Sequence, residues 1–367
     1  MNIDNEISQR IAILRFPLII GVIFIHSSGS IINFSTGNIG LETVPFLSSL
    51  IQNFISNGLA RIAVPMFFLI SGFLFFQNFD LRPDVIKKKL HRRVITLFIP
   101  YLLWNTFALV MYFILQSIPA MNEYFSGSTK LIIHYEFYDY LNAFLGLRIT
   151  ANSPIAYPFW FIRDLMIVVL LSPFIWRIAK HFPYTGFFSI LTLWFINPQI
   201  PFFNLSYLGL FFFYSGAILS LKNPSITRID LYGKKILIIY LLLTALDAYF
   251  MTIQNQQGWG EFQSRIIIFP GILSAWYIAG ILNQHGIPKR ILIKLSSSAF
   301  FVFAAHEPFL LAGLRKLMYK LIIPSGFLQI TGIYFIAPLM TIIIALLVNM
   351  LLKKSMPALH KLINGLR

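Results

Sequence analysis

The chain has 367 residues, of which 57% are apolar and only 11% are charged, and its formal net charge is +16. The charged fraction is less than half of the ~25% typical of soluble domains, which excludes a disordered protein, a coiled coil and nearly every soluble globular fold. Apolar stretches of 18 or more residues recur along the chain, as in helices that span a bilayer. The sequence therefore predicts an all-α polytopic membrane protein with a single transmembrane domain over residues 1–367.

About ten apolar segments of roughly 20 residues each predict the membrane-spanning helices. The first is expected to remain as a helix, because the N-terminus lacks a basic region followed by a small-residue cleavage site. The breaker Asn197-Pro198-Gln199-Ile200-Pro201 separates the fifth from the sixth, and no fused soluble domain is expected after the tenth. The predicted spans lie near residues 12–33, 58–77, 94–117, 158–176, 184–199, 203–221, 236–253, 266–283, 297–315 and 328–352.

The distribution of Lys and Arg predicts which side of the membrane each loop faces. With the N-terminus in the cytoplasm, 21 of the 29 basic residues fall on the cytoplasmic side, in agreement with the positive-inside rule. Both termini are therefore predicted to be cytoplasmic. Nucleic-acid binding is rejected, because a chain with so little loop cannot present an extended basic face. The absence of Cys excludes disulfides, thiolate metal sites and Cys nucleophiles.

Two long loops, residues 34–57 and 118–157, are predicted to lie outside. The second contains a polar and aromatic stretch at 134–148, which is either an interfacial helix or lid, or a surface loop without a role. No internal repeat is visible, which argues mildly against a transporter built from inverted repeats.

Ionisable residues inside predicted spans are costly, at about 2.5–3.5 kcal/mol each on insertion scales, so each one invites a functional explanation. The set is Arg15, His26, Arg61, Arg163, Asp164, Asp247, His306 and Glu307.

The first of these pairs lies on one helix. Arg15 and His26 are eleven residues apart, so both side chains lie on one stripe, separated by a rise of about 16 Å. This places Arg15 near the inner rim and His26 near mid-membrane. His26 is then either a general base or transient acyl acceptor, or a helix-packing residue. His306 is expected at a similar depth in the ninth span, where His306 and Glu307 could join His26 in an acid–base site or be unrelated packing residues.

The remaining charges have structural alternatives. The basic segment 87–93 can bind a phosphorylated ligand or anionic membrane lipids, or serve topology alone. Arg61 can extend to the interface without any function, and Arg163-Asp164 can be a simple ion pair. No metal-ligand spacing, Gly-rich phosphate loop or G-x-S-x-G motif is present.

At these same positions the chain resembles the membrane acyltransferase-3 family, multi-span bacterial proteins that O-acylate cell-surface glycans. One departure is Thr96, which follows Arg93 where family members often have a second basic residue. Four blocks in the order of the family carry the resemblance: Arg15-x10-His26; residues 64–74 (VPMFFLISGFL), followed by the basic segment and 98–104 (FIPYLLW); residues 160–165 (WFIRDL); and residues 298–308 (SAFFVFAAHEP).

The resemblance implies an acyl-CoA donor, acetyl-CoA above all, approached from the cytoplasm, and an acceptor hydroxyl on a lipid-linked or surface sugar. It implies no permanently bound cofactor. The catalytic residues that it implies are His26, Arg15, His306 and Glu307. The residues that it implies for the donor are Lys87, Lys88, Lys89, Arg92 and Arg93. Those that it implies for the acceptor are Arg61, Trp160, Arg163 and Asp164. The alternative function is a transporter or flippase for lipid-linked sugars, in which the same charges line a pathway.

Overall fold

The computed structural model describes residues 3–125, 130–147, 153–198, 205–222, 226–253 and 260–366. Helices make up nearly all of the regular structure in this part of the chain, and its only sheet is a two-stranded hairpin. The predicted all-α architecture is therefore confirmed, with one small β element added.

The first predicted span, 12–33, is wrong at both ends. Helix α1 comprises Ile3–Ser27, so it begins and ends earlier than predicted. It is followed by the antiparallel strands β1 (Ile31–Phe34) and β2 (Gly37–Gly40). The apolar residues of β1 continued the hydrophobic pattern of the helix in sequence, but they pair with a neighbouring strand in the structure.

The segment Ser-Ser-Gly-Ser at 27–30 explains where α1 ends. Gly29 has a φ of 110°, which favours glycine, and the Ser28 hydroxyl donates a hydrogen bond to the Ile25 carbonyl at 3.1 Å. The β-branched Ile31 and Ile32 beyond it favour an extended strand. His26 consequently lies in the last turn of α1 and Arg15 near its middle, which corrects their expected positions along the first span.

The second and third spans also begin earlier than predicted. Phe46–Phe76 is one continuous apolar helical segment, and Pro83–Gln116 is another, so the basic residues of 87–93 lie on a helix rather than in a loop. The first segment contains α2 (Phe46–Gln52), a π-helical turn (Asn53–Gly58), a 3-10 turn (Leu59–Ile62) and α3 (Ala63–Phe76). The second contains α4 (Pro83–Arg93), a π-helical turn (Val94–Phe98) and α5 (Ile99–Gln116).

The predicted loop 118–157 contains a helix, α6 (Phe137–Leu145). A helix was one of the two alternatives for the stretch at 134–148. A capping box between Glu136 and Asp139 begins α6, and Gly146 ends it with a φ of 60°. Residue 148, the last of the predicted stretch, lies outside the described residues. Two short 3-10 turns, Pro119–Tyr124 and Ile132–His134, precede α6, and a third, Tyr157–Phe159, follows it.

From Trp160 onward, all regular secondary structure in the described residues is helical. Residues 199–204, which include the end of the fifth predicted span and the start of the sixth, lie outside the described residues. The helices are α7 (Trp160–Leu170), α8 (Ser172–His181), α9 (Pro183–Ile196), α10 (Tyr207–Lys222), α11 (Gly233–Ile253), α12 (Gly260–Gln284), α13 (Gly286–Ser296), α14 (Ala299–Ala305), α15 (Leu311–Ile322), α16 (Phe327–Ser355) and α17 (Pro357–Ile363), with a 3-10 turn at Ile226–Leu231.

Several of the described helices can cross a membrane. Six are long and apolar enough, or eight if two bent pairs each count as one span. The bent pairs are α7 with α8, at 63°, and α13 with the segment from Ala299 to Ile322, at 54°. Helices α9 and α10 have 14 and 16 residues, fewer than the ~20 that a perpendicular span needs. The chain is a multi-pass membrane protein, whereas the number ten and the cytoplasmic termini stay predictions.

Helix α1 is central, because it packs against α3, α12, α13, α14 and α16. One of these neighbours, α3, is itself in close backbone contact with α10. A methyl group at Gly72 would overlap with the Phe213 carbonyl oxygen, and one at Gly216 with the Leu69 carbonyl oxygen. Small residues thus allow two apolar helices to approach in a setting where van der Waals contact drives helix association.

Gly72→Ala is expected to lower the free energy of unfolding by about 1–3 kcal/mol, because the added methyl group forces α3 away from α10. Gly332→Ala on α16 is the matched control, since the space around Gly332 is open and Ala favours the helix. Thermal unfolding of the purified protein in detergent measures both. A wild-type melting temperature for Gly72→Ala would contradict the close α3–α10 contact.

Candidate active site

Two histidines from opposite ends of the chain meet inside the bundle. The ring centroids of His26, in the last turn of α1, and His306, after α14, are 5.5 Å apart. His306 is fully buried and His26 is partly buried. The Tyr157 ring stands edge-on to His26 at 5.2 Å, and Phe303 lies 5.8 Å from His306. The sequence left open whether these histidines join in one site or are unrelated packing residues. In the structure the two rings lie together.

His306 lies at a break in its helix. Glu307 has the extended angles φ −137° and ψ 152°, and Pro308 has no N–H to donate, so helical hydrogen bonding is interrupted between α14 and α15. The His306 Nδ1 forms a hydrogen bond with the Phe303 carbonyl. Because a carbonyl only accepts, Nδ1 carries a proton, and in the neutral imidazole Nε2 then keeps its lone pair. This Nε2 is buried without a hydrogen-bond partner among the described residues.

Glu307 contributes a second unpartnered atom. Its side chain is only 4% exposed, and the Oε2 atom has no partner in the described part of the chain. The Tyr157 hydroxyl, the Ala312 backbone N–H and the Arg315 guanidinium all interact electrostatically with the carboxylate. Unsatisfied polar atoms are costly in an apolar interior, so an unpartnered buried nitrogen and an unpartnered buried oxygen on consecutive residues indicate a place for a bound polar group.

Tyr157 and Arg315 belong to this constellation, and the sequence reasoning missed both. No spacing in the sequence relates Arg315 to His26. Tyr157 lies three residues before the start of the block at 160–165, which is the one signal that could have drawn attention to it.

Arg15 and Arg61 occupy different positions relative to the histidines. Arg15 is exposed near the middle of α1, about 16 Å along the helix from His26, so its role in catalysis stays a prediction. Arg61 is also exposed, donates a hydrogen bond to Asn57 Oδ1 at 3.0 Å, and interacts electrostatically with both His26 and the buried Asp247.

Arg163 and Asp164 form the buried ion pair that was one of their two alternatives. Arg163 Nε donates to Asp164 Oδ1 at 2.9 Å, and Arg163 Nη1 donates to the carbonyls of Leu145 at 3.0 Å and Gly146 at 3.2 Å. Asp164 Oδ2 accepts from the Ser206 N–H at 2.8 Å. The pair therefore ties α6, α7 and the start of α10 together. Trp160, one turn earlier, packs partly buried against the core, and acceptor binding by these three residues stays a prediction.

The basic residues of α4 divide into two groups. Lys89 Nζ donates to the Phe75 and Gln77 carbonyls, each at 2.7 Å, and so caps the end of α3. Arg93 is partly buried over the Phe75 ring at 5.5 Å, and it lines a mostly apolar cavity of about 370 Å³. The others have exposed side chains that a ligand can reach: Lys87, Lys88 and Arg92.

These features together define a class of protein. Two imidazoles in contact, an unpartnered base nitrogen and an unpartnered carboxylate oxygen lie within a bundle of apolar helices. This is a multi-pass membrane protein equipped for proton transfer to or from a bound group.

The comparison with known proteins identifies the family. The acyltransferase-3 family, described as an acyltransferase domain, matches residues 9–350, and the chain belongs to it. The chain is also similar to "Succinoglycan biosynthesis protein ExoH" of Rhizobium meliloti (strain 1021), with 25% identity over 371 residues, covering 99% of this chain and 94% of that protein. No solved structure matches the chain. The resemblance drawn from the four sequence blocks is confirmed, and the protein is a membrane acyltransferase.

The basic helix α4 gives a test that does not depend on the reaction. Lys89→Gln is expected to lower the free energy of unfolding by about 1–2 kcal/mol, because two carbonyls at the end of α3 lose a charged donor. Lys88→Gln, one residue away with an exposed side chain, is the control and is expected to unfold like the wild type. Identical thermal unfolding curves for the two variants would show that the Lys89 cap is not structural.

Proposed function

We propose that this protein is a bacterial inner-membrane O-acyltransferase that moves an acetyl group from acetyl-CoA to a hydroxyl of a cell-envelope or lipid-linked polysaccharide. The observation that carries the proposal is the contact between His26 and His306, with the free Nε2 of His306 and the free Oε2 of Glu307 beside it. Family membership supplies the reaction class. The relative named for succinoglycan biosynthesis supports a polysaccharide acceptor.

The proposed reaction requires two proton transfers and one exchange of bonds at carbon. The acceptor hydroxyl gives its proton to an imidazole nitrogen, and its oxygen attacks the thioester carbonyl carbon. The C–S bond then breaks, and the CoA thiolate takes the proton from the imidazolium, which restores the neutral base. His26 acts as the general base or as a transient acyl carrier, Arg15 assists from the same helix, and His306 and Glu307 form the second acid–base group.

The binding sites follow the exposed charges. Lys87, Lys88, Arg92 and the partly buried Arg93 are proposed to bind the CoA phosphates, whereas Lys89 contributes mainly through its cap on α3. Arg61 is proposed for the acceptor, because it is exposed and interacts electrostatically with His26. The acceptor roles of Trp160, Arg163 and Asp164 form part of the same proposal, with the ion pair shaping the surroundings rather than contacting the sugar.

His26→Ala is expected to abolish CoA release from acetyl-CoA without loss of folded protein. The measurement is thiol release by the purified protein with an acceptor glycan, and succinyl-CoA in a parallel assay tests the choice of acyl group. His285→Ala is the control, because the exposed His285, between α12 and α13, forms a hydrogen bond with the Ile281 carbonyl near the end of α12. Wild-type turnover by His26→Ala would refute the assignment. Sugar translocation in liposomes without consumption of acyl-CoA would favour a transporter or flippase instead.

His306→Asn is expected to reduce kcat by about 10²–10⁴-fold, because the amide N–H can still donate to the Phe303 carbonyl but no base nitrogen replaces Nε2. The initial rate at saturating acetyl-CoA measures the effect, and the melting temperature shows whether the helix break survives. A stable variant with undiminished kcat would exclude His306 from proton transfer.

A further inference from the structure

One arginine connects the two halves of the candidate site. Helix α1 ends just after His26, so carbonyls in its last turn lack partners within the helix. Arg315 of α15 donates to two carbonyls at this helix end. Its Nη1 donates to the His26 carbonyl at 3.2 Å, and its Nη2 donates to the carbonyl of Gly29, just beyond α1, at 3.0 Å. Tyr319 adds a hydrogen bond from its hydroxyl to the same Gly29 carbonyl at 3.2 Å.

The same guanidinium faces the other half of the site. Arg315 interacts electrostatically with the Glu307 carboxylate and with the Tyr157 hydroxyl. It lies eight residues after Glu307, about two helical turns further along the chain. A single planar group thus joins the backbone that carries His26 to the segment that carries His306 and Glu307.

The shape of the guanidinium matters for this connection. Its fork directs two N–H groups at two carbonyls while it keeps a fixed positive charge toward the carboxylate. A Lys ammonium is a compact point charge on a flexible stem, so it can keep the charge but not both directed hydrogen bonds.

We propose that Arg315 is a positioning residue, which holds the end of α1 against the break at His306–Glu307 so that the two histidine rings stay in register. It acts through His26 and Glu307 rather than by touching the substrate. The change in CoA release that we expect on substituting Arg315 rests on the proposed function.

The chain contains a matched control for a purely structural cap. Arg265 of α12 also donates to two carbonyls at a helix end, those of Trp194 at 2.8 Å and Phe195 at 2.9 Å at the end of α9. Both arginines therefore cap a helix from a neighbouring helix, but only Arg315 caps the helix that carries His26.

The test compares full-length Arg315→Gln, Arg315→Lys and Arg265→Gln by melting temperature and by the kcat and KM of CoA release. Arg315→Gln is expected to lose about 100-fold in kcat with little change in KM for acetyl-CoA, because small displacements of catalytic groups cost about that much. Arg315→Lys is expected to recover part of the loss. Arg265→Gln is expected to lower the melting temperature without changing kcat per folded molecule. If kcat is unchanged in Arg315→Gln, the residue is only a cap and the proposal is wrong.

A second measurement separates this proposal from the proposed function. The melting temperatures of Arg315→Gln, Glu307→Gln and the double variant form a cycle, and residues that interact give non-additive shifts. If the wild type releases no CoA from any donor, the proposed function fails and the cycle alone decides. A double variant whose shift differs from the sum of the single shifts supports the connection, and strictly additive shifts overturn it.

Discussion

The interruption of the helix at Glu307-Pro308 is the constraint on which the candidate site depends. Pro308 cannot donate a backbone hydrogen bond, and Glu307 leaves the helical conformation. The Phe303 carbonyl instead bonds to the Nδ1 of His306, which fixes the tautomer and leaves Nε2 as a free acceptor in the core. A continuous helix would direct His306 and Glu307 about 100° apart. The break allows each of them to present an unpartnered atom within the bundle.

A second constraint is the end of α1. The helix stops at Ser27 because Gly29 adopts a left-handed conformation and the following Ile residues form a strand. His26 is therefore held in a helix end, where its own carbonyl is open to a donor from another helix. The close α3–α10 contact and the many helices around α1 provide the rigid frame in which two segments 280 residues apart bring their imidazoles to 5.5 Å.

A recurring arrangement accounts for several cationic side chains that are buried or partly buried in the bundle. Lys89 donates to carbonyls at the end of α3, Arg163 at the end of α6, Arg265 at the end of α9 and Arg315 at the end of α1. Water is scarce in the membrane interior, so the open carbonyls of a helix end need donors from the protein, and a cation also complements the helix dipole. Charge inside a span is thus not by itself evidence of catalysis. Arg315 differs from the other three because the helix that it caps carries His26.

The sequence by itself determined the class, the helical architecture and the family, because apolar segment length, charge scarcity and the four motif blocks are local properties. It also identified His26, His306 and Glu307, since ionisable groups are conspicuous in apolar segments. Only the tertiary structure decided that the two histidines touch, that Arg163 and Asp164 form a buried ion pair, and that Tyr157 and Arg315 complete the site. Such contacts join residues far apart in the chain, and hydrophobic periodicity carries no information about which helices become neighbours or where a helix breaks.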